Sequence, residues 1–257
     1  MAARSLASSD VRDHFSWNSK GDRPLAPDDA NTQAAGGANG NGVRVWDLPV
    51  RLFHWSLLAA VVTSVATGLT GGLWQMDLHV VSGCVVLGLV LFRVLWGLVG
   101  GRHARFAGFV KGPVTVMRYA VDFLRGRAVH TAGHNPLGGW SVVLILLALA
   151  VQAGTGLFAN DDIFLEGPLA KYAGKALSDR LTGIHHLMST VIYVLVAAHV
   201  AAIALHWWKG DNLVKPMITG VKSGIDPAVG DGPTPWGWLA AAVIVAAAPV
   251  AWILSIW

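Results

Sequence analysis

Four histidines, His54, His79, His185 and His199, stand inside long stretches that are otherwise almost free of charge. Imidazole is the commonest metal-ligating side chain and the one that exchanges protons near neutral pH. An ionisable group placed in hydrocarbon is costly enough to mark a functional site by default. His185 and His199 are 14 residues apart, which on a helix returns the side chain to within about 40° of the same face, about 21 Å further along the axis. Counting from His186 gives an offset of about 140°, so His185 is the preferred member of the pair and His186 the alternative. The single cysteine, Cys84, excludes an intramolecular disulfide and a Cys-based zinc or iron-sulfur site. Metal chemistry is left to histidine.

The elements that must position these residues follow from composition. The chain has 257 residues, 54% of them hydrophobic and 13% charged, with a mean hydropathy of +0.52. Its charge is about half the roughly 25% usual in soluble domains. Five apolar stretches, roughly 51–72, 77–99, 138–158, 183–208 and 236–257, each approach or exceed the about 20 residues that a helix needs to cross a bilayer. Helix satisfies every backbone group internally, and the unbroken apolar character excludes the alternation of barrel strands. The expected fold is an all-α integral membrane protein: a four-helix transmembrane bundle over 43–220, a linker over 221–235, and a fifth, C-terminal transmembrane helix over 236–257. Residues 1–42 are rich in Ala, Gly, Asn, Asp and Ser and read as a disordered tail. They do not read as a signal peptide, because Asp10, Arg12 and Asp13 fall where its apolar core would lie.

A net charge of +4 on a soluble chain would suggest nucleic acid, but here the basic residues flank apolar spans, so no nucleic-acid partner is expected. The segment 159–182 carries Lys171, Lys175 and Arg180 against Asp161, Asp162, Glu166 and Asp179. The other basic residues lie in the tail, at helix ends, in the 100–137 loop or after 208. By the positive-inside rule the N-terminus and the 100–137 loop are cytoplasmic, and the fifth span ends outside. Trp46, Trp55, Trp96, Trp140, Trp207, Trp208, Trp236 and Trp238 fall near cytoplasmic ends and Trp74 and Trp257 near outer ends, as interfacial anchors among membrane lipid. Val114, Met117, Val121 and Leu124 at helical spacing, opposite Arg118, Arg125 and Arg127, predict a short amphipathic helix on the membrane surface.

With this orientation His54 lies near the cytoplasmic face and His79 near the outer face. The fourth span begins outside, so His185 shares the depth of His79, and His199 that of His54. Two bis-histidine sites, one above the other, follow from spacing and topology, and paired imidazoles of this kind hold b-type haem. Gly68, 14 after His54, and Gly83, four after His79, leave room for a flat macrocycle, or serve ordinary small-residue packing. Arg93, 14 after His79, reaches the cytoplasmic level on nearly the same face, where it pairs with a haem propionate or snorkels to the interface. A second reading stays open at this point: a haem-free membrane anchor, or a transporter whose histidines bind a transition-metal ion or relay protons. Against it, Asp47 and Asp77 stand at helix starts rather than within an ion path, and no broken helix pair interrupts the spans.

The same residues carry a family resemblance. Arg51, Leu52, Phe53, His54 and Trp55, followed by Thr67 and Gly68, resemble an Arg-x-x-His-Trp stretch ending in Thr-Gly. Ile184, His185, His186 and Leu187, then His199, and the stretch from Gly133, His134, Asn135 and Pro136 to Gly139 are similar to the same group. The group is the bacterial cytochrome b561 proteins with the related cytochrome b subunits of membrane-bound nickel-iron hydrogenases, and the resemblance covers about 43–220. It implies a membrane protein with two haem b groups that passes single electrons between the quinone pool and a redox partner in respiratory electron transfer. That partner is a soluble cytochrome c or a hydrogenase-like complex. Bis-histidine ligation leaves no open iron position, so the resemblance implies an electron carrier, possibly a subunit of an oxidoreductase, and not an enzyme acting at iron. In this frame His54 pairs with His199 inside and His79 with His185 outside, and His134 is a candidate to bond a propionate or line a quinone site.

Overall fold

The computed structural model describes residues 42–127, 131–163, 165–224, 226, 228 and 230–257; the segment read as a tail lies outside them except for Gly42. The first long helix, α1 (Leu48–Thr70), starts where the Asp47 carboxylate accepts the Val50 amide at 2.8 Å and Pro49 occupies the first turn. A side-chain cap and an early proline are both favourable there, since the first amides lack helical partners. Gly71 and Gly72, at φ 65° and 96°, reverse the chain in a left-handed conformation that costs glycine little. The second helix, α2 (Leu73–Val99), therefore begins four residues before the expected 77. Short helices α3 (Phe106–Phe109) and α4 (Pro113–Leu124) follow. Then comes α5 (Pro136–Gly156), capped by the Asn135 side chain, which accepts the Gly138 amide at 2.7 Å.

After α6 (Ala170–Ala173) comes α7 (Lys175–Trp208), which starts eight residues before the expected 183. Its first turns carry Lys175, Asp179 and Arg180, too polar to register as part of a span. They are helical nonetheless, with Lys175 and Asp179 paired at 2.8 Å, an i,i+4 contact that gives modest support. The last elements are α8 (Val214–Thr219) and α9 (Trp236–Ile256). The strands β1 (Val43–Arg44) and β2 (Val221–Lys222) pair antiparallel. Helices α1, α2, α5, α7 and α9 are long and apolar enough to cross a membrane, as expected.

Packing runs from α1 to α2, from α2 to α5, from α5 to α7, and from α9 back onto α2. The central core holds Phe53, Ala60, Val86, Val90, Leu146, Leu149 and Ile192. Among the described residues α7 makes its extended contact with α5 rather than with α1 or α2, and a cavity of about 640 Å³ opens among α1, α2, α5 and α7. At the Asp47 end a second cluster gathers Val45, Trp46, Val50, Trp96, Ala104 and Ala242.

That cluster corrects one expectation. Trp46 and Trp96 are 8% and 0% exposed, so they are core residues and not interfacial anchors; the Trp96 indole donates to Asp47 Oδ2 at 3.0 Å. Trp55, Trp74, Trp140, Trp207, Trp208, Trp236, Trp238 and Trp257 stay exposed. The amphipathic helix forms as α4, with Val114, Met117, Val121 and Leu124 all exposed, while Phe123 stacks on His206 at 4.6 Å. Within 221–235, the Asp231 carboxylate accepts the Arg102 amide at 2.7 Å.

Candidate functional site

Two groups of histidines meet at opposite ends of the bundle. At the Gly71 end, α2 supplies His79 and α7 supplies His185, with ring centroids 6.0 Å apart and planes at 83°. His79 donates from Nδ1 to the Ser64 carbonyl of α1 at 2.8 Å. His185 donates from Nδ1 to the Gln152 carbonyl of α5 at 2.9 Å. A carbonyl can only accept, so each Nδ1 carries the proton and each Nε2 keeps its lone pair. This is the tautomer that second-shell carbonyls impose on metal-ligating histidines. The Gln152 amide donates to His185 Nε2 at 3.1 Å, in keeping with a lone pair there, and Gln152 Oε1 is buried without a partner.

Two glycines let the rings come this close. A Cβ on Gly68 would lie 3.1 Å from His79 Cε1, and one on Gly156 would lie 2.8 Å from His185 Cε1. Gly83 lines the same cavity, but nothing lies within 4 Å of where its Cβ would be. His186 also lines it, yet it is exposed and its ring lies 6.3 Å from that of His185. Ser64 and Ser82 hydroxyls share a 2.7 Å bond that ties α1 to α2 just beside His79.

At the Asp47 end, His54 of α1 and His199 of α7 come within electrostatic reach of each other, and both within reach of His134. Among the described residues His54 Nδ1 is buried without a hydrogen-bond partner, as are His134 Nδ1, Arg93 Nη1 and Arg51 Nε. The His134 ring packs 4.7 Å from Trp46 and 4.4 Å from Phe109. Burial, with Arg93, His103, His199 and His54 nearby, pushes its pKa down to about 3. Arg93 is 2% exposed, its guanidinium 4.8 Å from the Phe106 ring centre and 5.8 Å from that of Phe109. It does not snorkel to water. Burial also raises the Asp47 carboxyl above its ordinary value, against the opposing pull of its bonds to Val50 and Trp96.

The residues fit haem. Metal–imidazole bonds are about 2.0–2.1 Å, so two nitrogens on one iron stand about 4 Å apart and their ring centroids about 6 Å apart, the separation of His79 and His185. Rotation of either ring about its metal–nitrogen bond leaves the donor on the axis, so the 83° between planes is no obstacle. Among the described residues no three or more His, Cys, Asp or Glu side chains gather as a cage for a bare ion. Donors in twos suit a macrocycle that brings four nitrogens of its own.

The structure thus brings His79 to His185 and places His54 near His199. Sequence reasoning missed Gly156 and Gln152. Gln152 had a visible signal, as the one amide side chain in the third span. Gly156 had none, since its role depends on how α5 and α7 are registered.

Comparison with known proteins bears on the same region. Residues 45–220 match a family described as prokaryotic cytochrome b561. The chain is 25% identical over 216 residues to a probable Ni/Fe-hydrogenase B-type cytochrome subunit of Rhodobacter capsulatus, covering 69% of this chain and 80% of that protein. It is 26% identical to a protein of the same description in Rhizobium leguminosarum bv. viciae, covering 69% and 87%. It is 24% identical to one in Cupriavidus necator, covering 76% and 94%. No solved structure matches the chain. The chain belongs to the prokaryotic cytochrome b561 family, and is a multi-pass membrane protein that carries haem b and transfers electrons rather than an enzyme.

Proposed function

We propose that the chain holds two haem b groups, one between His79 and His185 and one between His54 and His199, and passes electrons between the membrane quinone pool and a hydrogenase-like partner complex. The observation that carries this is the His79–His185 pair, 6.0 Å apart with both Nδ1 atoms committed to backbone carbonyls. The second site rests on the 14-residue interval from His185 to His199, which spaces the two histidines about 21 Å apart along α7. Bound haem supplies a one-electron couple. His79 with His185, and His54 with His199, would hold the two groups, and a histidine pair on each iron would leave no open position for oxygen or substrate. Gly68, Gly83 and Gly156 leave room for the ring, and Arg93 pairs with a propionate. The hydrogenase-like partner is inferred from the names of the relatives; a soluble cytochrome c is the alternative acceptor. From lysine and arginine placement we read the Asp47 end as the cytoplasmic face of a bacterial inner membrane, with the respiratory chain as the proposed setting.

The test is a reduced-minus-oxidised spectrum of the purified full-length protein with pyridine haemochrome quantitation. Two haem b per chain is the expected result. One haem per chain overturns the two-site reading, and none overturns both sites. Hydrogen-dependent and quinol-dependent reduction of those haems in native membranes then tests the donor and acceptor. Reporter fusions after residues 127 and 163 test the orientation.

A further inference from the structure

We propose that Arg93 and His134 together form a carboxylate-binding site that seats a propionate of the haem held by His54 and His199. This rests on the two-haem reading above and adds the two-point clamp and the role of His134. An ionised guanidinium without compensation is expensive to bury, and Arg93 is 2% exposed with Nη1 unpartnered. Among the described residues, the acidic group within its electrostatic reach is Asp47. The Asp47 oxygens are already engaged, Oδ1 by the Val50 amide at 2.8 Å and Oδ2 by the Trp96 indole at 3.0 Å. The guanidinium instead lies over Phe106 and beside Phe109.

His134 stands on the other flank of Phe109, at 4.4 Å, with Trp46 at 4.7 Å. Its Nδ1 is sealed from solvent and also lacks a partner. The charged and titratable groups acting on it are Arg93, His103, His199 and His54, with no acid among them. Two adjacent buried donors in a surrounding of imidazoles and guanidinium call for an anion. A carboxylate takes the guanidinium edge and an imidazole N–H together, in charge-assisted bonds stronger than neutral ones. The ligand best suited to deliver one is the haem that His54 and His199 would hold, since it carries carboxylates and both histidines lie within electrostatic reach of His134. The aromatic walls of Trp46, Phe106 and Phe109 keep water away and fix both donors.

The experiment uses the full-length, haem-loaded protein with His134→Leu, His134→Gln and Arg93→Lys. Haem content, redox titration, resonance Raman propionate bands and the rate of haem transfer to apomyoglobin are read together. Each bond to a charged group contributes about 1.5–3 kcal/mol, so His134→Leu is expected to quicken loss of one haem about tenfold or more. It should also lower the potential of that haem alone and shift its propionate band. His134→Gln, which keeps an N–H donor, should recover part of each change, and Arg93→Lys should move the same haem in the same direction. If His134→Leu keeps both haems with unchanged transfer rate, potentials and propionate bands, the proposal is overturned. It is equally overturned if the only change is a higher KM for quinol, which assigns the site to a quinone headgroup. The underlying reading fails separately, when His54→Ala or His199→Ala leaves two haems per chain.

Discussion

The two ends of the bundle hold their histidines differently. At the Gly71 end each imidazole is held by a backbone carbonyl of a neighbouring helix, Ser64 for His79 and Gln152 for His185, so helix packing sets the tautomer. At the Asp47 end His54 Nδ1, His134 Nδ1 and Arg93 Nη1 are buried without partners, and the surroundings are aromatic and cationic. On the proposed two-haem reading, the Gly71 end orients its histidines before anything binds. The other keeps donors in reserve for what binds. Backbone anchors tolerate side-chain change and are sensitive to helix spacing, whereas reserved donors have the opposite sensitivities. The ends should therefore fail under different substitutions.

The largest expected effect comes from the ligands. His79→Ala and His185→Ala should each reduce the haem count from two per chain to one, removing the same haem, and His54→Ala and His199→Ala should remove the other. Pyridine haemochrome quantitation with separate redox waves reads this directly, and a pair of variants that strip different haems breaks the assignment. Next come the glycines of the Gly71 end. An alanine at 156 would put Cβ 2.8 Å from His185 and one at 68 would put it 3.1 Å from His79, while at 83 it meets nothing within 4 Å. Disturbing the orientation of a metal-ligating histidine weakens metal retention about 10–100-fold. Haem transfer from the His79–His185 site should quicken most for Gly156→Ala and less for Gly68→Ala. Alanine favours helix over glycine by about 0.5–1 kcal/mol, so these losses cannot be assigned to a weakened helix.

A smaller effect separates the ends by stability. Asp47→Ala removes a helix cap, worth about 1 kcal/mol, and orphans the buried Trp96 indole at a further cost of about 1–3 kcal/mol. Ser82→Ala removes one shared hydroxyl bond, of a kind that averages about 0.6 kcal/mol between membrane helices. Thermal unfolding in detergent should fall clearly for Asp47→Ala and little for Ser82→Ala. Equal shifts would mean that the Asp47 end is not the more side-chain-dependent of the two.

How much of this was legible in the sequence follows the range of the interaction involved. The five spans were legible because run length against bilayer thickness is a local property, and the shared face of His185 and His199 because helix periodicity is local too. The start of α7 at Lys175 was hidden because hydropathy sees only the apolar part of a helix that projects beyond it. The burial of Trp46 and Trp96 was hidden because an indole reads alike at an interface and in a core. Which one it occupies depends on Asp47 accepting the Trp96 N–H from 49 residues away. Gly68 was singled out for its offset from His54, but the structure sets it against His79, a contact between helices that periodicity along one helix cannot supply. The box around His134 joins Trp46, Phe109 and the residues before α5, three segments that only the fold brings together.

The smallest expected effect sharpens the comparison most. Gln152 touches His185 twice, through its backbone carbonyl at Nδ1 and through its amide at Nε2, 3.1 Å away. Only the first contact is compatible with iron at Nε2, so the amide has to turn aside when haem binds. Gln152→Leu preserves the carbonyl, removes the competing donor and removes the buried, unpartnered Oε1. Replacing an ill-satisfied polar group with an apolar one of similar size is close to neutral or stabilising, and one neutral hydrogen bond amounts to about 1 kcal/mol. Two haems per chain should therefore remain, with outer-site affinity for added haem in haem-depleted protein unchanged or up to about fivefold higher. Loss of the haem at the His79–His185 site in Gln152→Leu would mean that a side-chain amide, and not the carbonyl, orients His185. The Gly71 end would then depend on side-chain donors as the Asp47 end does.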